Sequence, residues 1–133
     1  MAMRLANTTR TSRVDVIRAD IDAGAGAGRL KIYDGVKPAK GSPPAGTLLA
    51  DLELADPCGV SAAGVLTFTT PFDDPTADAS GTAVFFVLED STGAFVADGD
   101  IATSGADLNL VTVSIVATQP IVVSSFTITD GSV

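Results

Sequence analysis

The stretch Asp107 to Thr129 reads DLNLVTVSIVATQPIVVSSFTIT, and after Asp107 no charged side chain occurs until Asp130. Val, Ile, Thr, Leu and Phe dominate it, the β-branched and aromatic types that fit a pleated, half-buried surface. Ala117-Thr118-Gln119-Pro120 divides it into two runs, and Pro120, lacking an N–H, suits the first position of a strand. In the first run Val111, Val113 and Ile115 share one face, while Leu108 and Leu110 begin the other. In the second, Val122, Phe126 and Ile128 fall on one side, opposite Ile121, Val123, Ser125 and Thr127. Alternation on both sides of a turn predicts two antiparallel strands, a core hairpin near the centre of a sheet. The stretch is long enough to cross a bilayer, but its Asn, Thr, Ser, Gln and Pro argue against a membrane span.

Working outward, Thr82 to Leu88 (TAVFFVL) is apolar on both faces and reads as a central strand. Glu89 to Gly93 makes a hairpin loop, Ala94 to Ala97 returns as a strand, and Asp98-Gly99-Asp100 kinks or bulges it before Ile101. Gly64 to Thr70 is a short strand between the turn at Asp56-Pro57-Cys58-Gly59 and a polar loop, Pro71 to Gly81. Thr47 to Leu54 alternates, with Leu48, Ala50, Leu52 and Leu54 inward and Asp51 and Glu53 outward. Arg29 to Tyr33 (RLKIY) turns Leu30 and Ile32 inward; its other face, Arg29, Lys31 and Tyr33, is solvated or meets a partner. The loop from Asp34 to Gly46 contains Pro38, Pro43 and Pro44, and loops of this length are often interaction surfaces.

Ahead of the strands, Met1 to Arg10 is polar and aperiodic and reads as an extended arm. Val14, Ile17 and Ile21 then share one face of a short helix, with Ser12 as its cap, Asp15 in its first turn and Gly24 as its stop. A helix this short must dock its apolar stripe on its own sheet or on a neighbouring subunit. Gly24-Ala25-Gly26-Ala27-Gly28 follows a helix and opens a strand. That order is the reverse of a dinucleotide-binding loop, so the segment is a flexible connection. The expected architecture is mainly β: a β-sandwich or jelly-roll-like antiparallel domain of about seven strands, with an N-terminal arm and one short helix. The arm and helix occupy residues 1–24 and the β-domain residues 25–133.

Charge is segregated along the chain. The first forty of its 133 residues hold all eight cations and four carboxylates, net +4; residues 41–133 hold twelve carboxylates and no cation, net −12. Such a body repels nucleic acid and anionic membranes, so neither is an expected partner. The basic end either neutralises its own acidic body or faces an acidic partner. Its candidate contact residues are Arg4, Arg10, Arg13, Arg18, Arg29, Lys31, Tyr33, Lys37 and Lys40.

Chemistry is hard to assemble from the remaining residues. The chain has no His and one cysteine, Cys58, which removes the commonest general base and any internal disulfide or Cys-cluster metal site. Cys58 reads as a small packed residue without a cationic neighbour to activate it. Asp73, Asp74 and Asp78, and Asp98 with Asp100, are either solvated turns or a weak calcium-like grouping. The only glutamates, Glu53 and Glu89, sit at an outward strand position and a turn, poor places for a carboxylic acid of raised pKa. No catalytic residue, metal or cofactor is expected. Phe68, Phe85, Phe86 and Phe126 read as core, leaving Tyr33, Phe72 and Phe95 as aromatics able to stack on a ligand. No apolar segment follows Arg4 in the manner of a secretory signal.

The opening MRLANTTRTSRVDVIRADIDAG (from Met3), the phrase LKIYDGVKPA, and DGDIATSGADLNL resemble small β-rich virion proteins of tailed bacteriophages, of the capsid decoration or cement type. The resemblance implies a non-enzymatic structural protein on the outer surface of the head, made in the host cytoplasm. It implies binding to the major capsid protein as a symmetric dimer or trimer, held by a terminal arm: here Met1 to Arg10, with Arg4, Arg10, Arg13 and Arg18 reaching acidic capsid surface. A neck, collar or tail component is the alternative among virion proteins; outside them, a soluble ligand-binding or adhesin-type β-sandwich module.

Overall fold

The structure, a computed structural model, describes residues 3–130. It is mainly β with a single helix, as the strand pattern predicts, but its strands are shorter and more numerous than seven. In chain order they are α1 (Asn7–Ile21), β1 (Arg29–Tyr33), β2 (Leu48–Glu53), β3 (Gly59–Ala62), β4 (Val65–Phe68), β5 (Phe72–Asp74) and β6 (Gly81–Thr82). There follow β7 (Phe85–Glu89), β8 (Phe95–Ala102), β9 (Leu108–Asn109), β10 (Ser114–Ile115), β11 (Ile121–Val123) and β12 (Thr127–Thr129). A curled seven-stranded sheet has the order β11-β5-β2-β1-β7-β8-β9, and a three-stranded sheet, β12-β4-β3, packs across it. A small β10-β6 pair completes the β structure. All pairings are antiparallel except β8 with β9.

β1 holds the middle of the large sheet because both its neighbours match its alternation. Leu30 and Ile32 stand opposite Leu52 and Ala50 on β2 and Leu88 and Phe86 on β7. These six side chains form the inner face and are all buried. The second sheet supplies Leu66 and Phe68, and Phe126 joins the layers: its ring lies 4.6 Å from Phe68 and 5.4 Å, edge-on, from Phe86. α1 closes the remaining side with Val14 and Ile21, 1% and 0% exposed. It therefore docks on its own domain, against the β3–β4 hairpin. At its C-terminal end the Asp22 carboxylate accepts the Cys58 backbone N–H at 2.8 Å, and Gly24 turns the chain away at φ +93°.

Several sequence expectations change here. The helix begins at Asn7, not near Ser12, so only residues before Asn7 remain arm-like; Met1 and Ala2 lie outside the described residues. No side chain caps it, and the Ser12 hydroxyl instead bonds back to the Thr8 carbonyl within the helix. Asp98-Gly99-Asp100 does not interrupt its strand: β8 runs unbroken, with Gly99 at the spot where a Cβ would strike the Phe86 ring. The presumed turn around Gly59 opens β3, which returns through Ala63 and Gly64, both at positive φ, into β4. That two-residue turn type favours Asn-Gly or Gly-Gly, and an Ala-Gly pair hides it. The polar loop 71–81 contains β5, and Phe72, at 4% exposure, is core and not a free aromatic. On β2 a bulge beside Tyr33 leaves Leu49 fully buried, where sequence alternation points Leu48 inward.

The largest correction concerns residues 107–129. They form no hairpin. β9 edges the large sheet beside β8, β10 pairs with β6, β11 edges the large sheet beside β5, and β12 edges the small sheet beside β4. Leu108, Leu110, Ile115, Val123 and Phe126 are buried, but Val111 is 98% exposed and Val116 and Val122 more than half exposed.

Candidate functional site

The basic residues predicted to face a partner are largely engaged within the chain. On the outer face of the large sheet, the Arg29 Nε and Nη1 donate to Asp51 and Glu53, each at 2.9 Å. Lys31 Nζ lies 2.9 Å from Glu89, and Lys37 Nζ 3.0 Å from Asp100. The carboxylate of Asp51 raises the pKa of Arg29, and those of Glu89 and Asp100 raise Lys31 and Lys37 above their ordinary values. On α1, Arg13 pairs with Asp130 at 3.2 Å and Arg18 with Asp15 and Asp22. Arg10 lies along the β3–β4 turn, where a Cβ on Gly64 would meet its side chain, and donates to the Asp130 carbonyl. Among the described residues, Arg4 and Lys40 make no ion pair. The candidates thus fall into two groups, Arg29, Lys31, Tyr33 and Lys37 around the sheet face and Arg10, Arg13 and Arg18 on the helix.

The sheet face carries a small, partly enclosed cleft. Tyr33 stacks on Phe85, ring centroids 5.3 Å apart and planes 11° from parallel. Phe85 and Val87 are buried although they lie outside the main core: the Tyr33 ring covers Phe85, and the loop with Pro38, Pro43 and Pro44 faces Val87. A pocket of about 140 Å³ remains between that loop and β8, walled by Tyr33, Val87, Phe95 and the prolines, with Glu89 and Asp98 at its edge. Burial raises the Tyr33 phenol above its ordinary pKa. Tyr33, Phe95 and this loop lie far apart in the sequence; strand register brings them together.

Two broader depressions, each about 500 Å³, flank β12: one against α1, the other against β7 to β9. The first is mostly aliphatic, with Val14, Ile17 and Ile128; the second mixes Phe86, Phe126 and Ile128 with Asp98, Asp107 and Asn109. Asp130 pairs with Arg13, and Asp107 accepts the Asp100 backbone N–H at 2.9 Å. A shallower groove of about 240 Å³ runs between Leu110-Val111-Thr112 and Pro120-Ile121-Val122. No charged side chain lines it, although exposed Asp73 stands opposite Val122 across the β5–β11 pair, and it lies beside the open edge of β11.

The acidic turns are tied to backbone. Asp74, buried, accepts the Asp51 and Thr76 N–H groups, and Asp90 accepts from Thr92 and Ala94, bonds that hold its pKa below the usual carboxylate range. Among the described residues no three Asp, Glu, Cys or His side chains gather as a metal site would require. Cys58 is fully buried, and burial together with the nearby Asp22 charge pushes its thiol up to about 12.

Comparison with family models, with curated proteins and with solved structures finds no match.

Proposed function

We propose that this chain is a non-enzymatic virion structural protein of a tailed bacteriophage, a capsid decoration protein that stabilises the major-capsid lattice. Three stretches of sequence suggest the family. The observation that carries the docking role is the exposed groove lined by Val111, Pro120 and Val122 without a charged side chain, on a chain of net charge −8. Contiguous exposed apolar surface on an otherwise charged domain is characteristic of protein–protein contact. Burying the groove lining itself desolvates no charged side chain, and the acidic remainder left in solvent keeps a crowded shell soluble. This shifts the expected lattice contact from the basic arm, whose cations beyond Arg4 largely serve the chain itself, to the β9–β11 side.

Co-sedimentation with expanded, undecorated heads tests the reading. Saturable binding at roughly a few hundred copies per head, one small oligomer per lattice site, is the expected result, with loss of binding in a V111D/V122D double variant. Binding of only about a dozen copies would move the protein to the neck or tail. Absence of binding by the folded protein overturns the virion reading.

A further inference from the structure

The pocket under the proline loop has the makings of a recognition site, and neither the fold nor the virion reading accounts for it. On β1, β2, β7 and β8 the outward carboxylates are Asp51, Glu53, Glu89, Asp98 and Asp100. Asp51 and Glu53 share Arg29, Glu89 has Lys31, and Asp100 has Lys37. Asp98 alone accepts no hydrogen bond and forms no ion pair among the described residues. It stands opposite Val87 in the β7–β8 register, at the edge of the pocket. Beside it are the half-buried ring of Tyr33 and that of Phe95, which is 39% exposed and stacks on no other ring among the described residues.

We propose that this pocket receives a single lysine or arginine side chain presented by a protein partner. The apolar stem would lie against Val87 and the prolines, and the cationic head would meet Asp98 between the two aromatic rings. Its volume, about 140 Å³, is well below the roughly 300–1,000 Å³ of sites for whole small molecules, and suits one side chain. Aromatic rings attract cations through their quadrupoles, and more so when water is partly excluded. The charge also fits: Asp98 is the carboxylate on this face that no cation of the chain contacts directly among the described residues, Lys37 reaching it only at longer range. The loop that roofs the pocket is fixed at its base, where the Asp34 carboxylate accepts the Thr47 backbone N–H at 2.6 Å. The inference does not rest on the virion reading and survives its failure.

The test uses Nα-acetyl-lysinamide and Nα-acetyl-argininamide as probes, with Nα-acetyl-norleucinamide, the lysine stem without its charge, as control. Tyr33 is the only tyrosine and the chain has no tryptophan, so intrinsic fluorescence reads this pocket alone; amide chemical shifts map the site independently. The expected result is saturable binding of both cationic probes with Kd in about the millimolar range, with shifts confined to Tyr33, Val87, Phe95, Asp98 and the loop. Added salt weakens the binding. D98N should weaken it about fivefold, and F95L, which keeps the bulk but removes the ring, about threefold. D98N breaks no hydrogen bond in the fold, so its melting temperature should match that of the parent. Equal binding of the norleucine control, unchanged binding by D98N and F95L, or no saturable shift at these residues would each overturn the proposal.

Discussion

The middle of the large sheet and the run from Leu108 to Thr129 have similar compositions and opposite fates. β1, β2 and β7 are rich in Leu, Ile, Val and Phe, and nearly every inward side chain is below 4% exposure. The later run is at least as rich in β-branched residues, yet it is divided among four short edge strands with Val111 almost wholly in solvent. The difference lies in what interrupts the apolar residues. Within β1 and β2 they alternate with Arg29, Lys31, Asp51 and Glu53, whose cross-strand pairs fix which face is out and in which register. The later run has no charged side chain to mark an outer face. Its alternation is therefore compatible with several pairings, and each segment is claimed by whichever edge lies nearby. Apolar composition measures β propensity; the placement of charge measures burial.

This contrast predicts that the second layer of the core depends on α1, not on a late hairpin. Removal of residues 1–6 should leave the melting temperature nearly unchanged, because the helix starts at Asn7. Removal through Ile21 should abolish cooperative unfolding, because it uncovers Leu66, Phe68 and the sheet behind them. A folded β-domain after the longer truncation, seen as a sharp thermal transition, would restore the view of residues 1–24 as a separable arm.

Next in size are substitutions inside the two regions. Leu30→Ala, at a fully buried position, should cost about 3–5 kcal/mol in denaturant unfolding, from lost transfer energy and a cavity. Phe126→Ala should cost a similar amount, since its ring bridges both sheets. Val122→Ala, in the same uncharged run, should stay within about 0.5 kcal/mol. If all residues of that run behaved like Phe126, the run would be core after all.

The legibility of the fold follows the same division. Arg29–Tyr33 was readable to the residue because charge and apolar residues alternate strictly, and the stripe of Val14, Ile17 and Ile21 was readable from its helical spacing. The start of α1 was not, since Asn7, Thr8 and Thr9 carry weak helix preference and no cap marks the boundary. β3 was hidden by an Ala-Gly turn, and β5 by proline and aspartate around Phe72. Of the candidate site, Tyr33, Phe95 and the proline loop were each visible, but their convergence was not. It depends on β1 and β8 both flanking β7, a nonlocal pairing that no local pattern encodes.

The paired charges that mark the sheet face should have a measurable but smaller effect. Lys31→Met leaves Glu89, whose side chain is 13% exposed, without its cation and should cost about 1 kcal/mol, less at high salt. Because Glu89 raises the Lys31 pKa, this contribution is complete below the unfolded lysine value and fades as pH rises through the folded one. Lys37→Met, at an exposed pair, should leave the melting temperature unchanged while shifting the Asp100 amide resonance. Equal losses from both would mean that burial on this face is not graded as described.

Cys58 offers a pH-dependent version of the same test. Its thiol titrates at about 12 in the fold against an ordinary value near 9. Above pH 9 the unfolded chain therefore releases a proton that the folded chain keeps, and stability falls as pH rises toward 12, by at most about 1.4 kcal/mol per pH unit. Comparison of the parent with Cys58→Ala at pH 8 and pH 10 isolates this group from lysine and tyrosine titration. The parent should lose more than the variant, and its thiol should resist alkylation at pH 8 until the chain unfolds. Parallel pH profiles would place Cys58 in contact with solvent.

The smallest expected effect on folding is also the most informative about the uncharged run. Val111→Asp puts a carboxylate on a side chain that is 98% exposed, so unfolding free energy should change by less than about 0.5 kcal/mol. A buried Val111, as the hairpin pattern requires, would instead make this substitution among the most damaging in the chain, because an unpaired charge in a core costs several kcal/mol. Stability therefore decides between the edge and the hairpin at one residue. If the variant is stable, its interactions become meaningful. A docking surface selected to remain free of charge should lose its partner on gaining one carboxylate, whereas a surface that is uncharged by accident should not respond. Unchanged stability with lost binding to heads would tie the absence of charge between Asp107 and Asp130 to docking, and would explain why a run so suited to a core is left at the edge of the sheet.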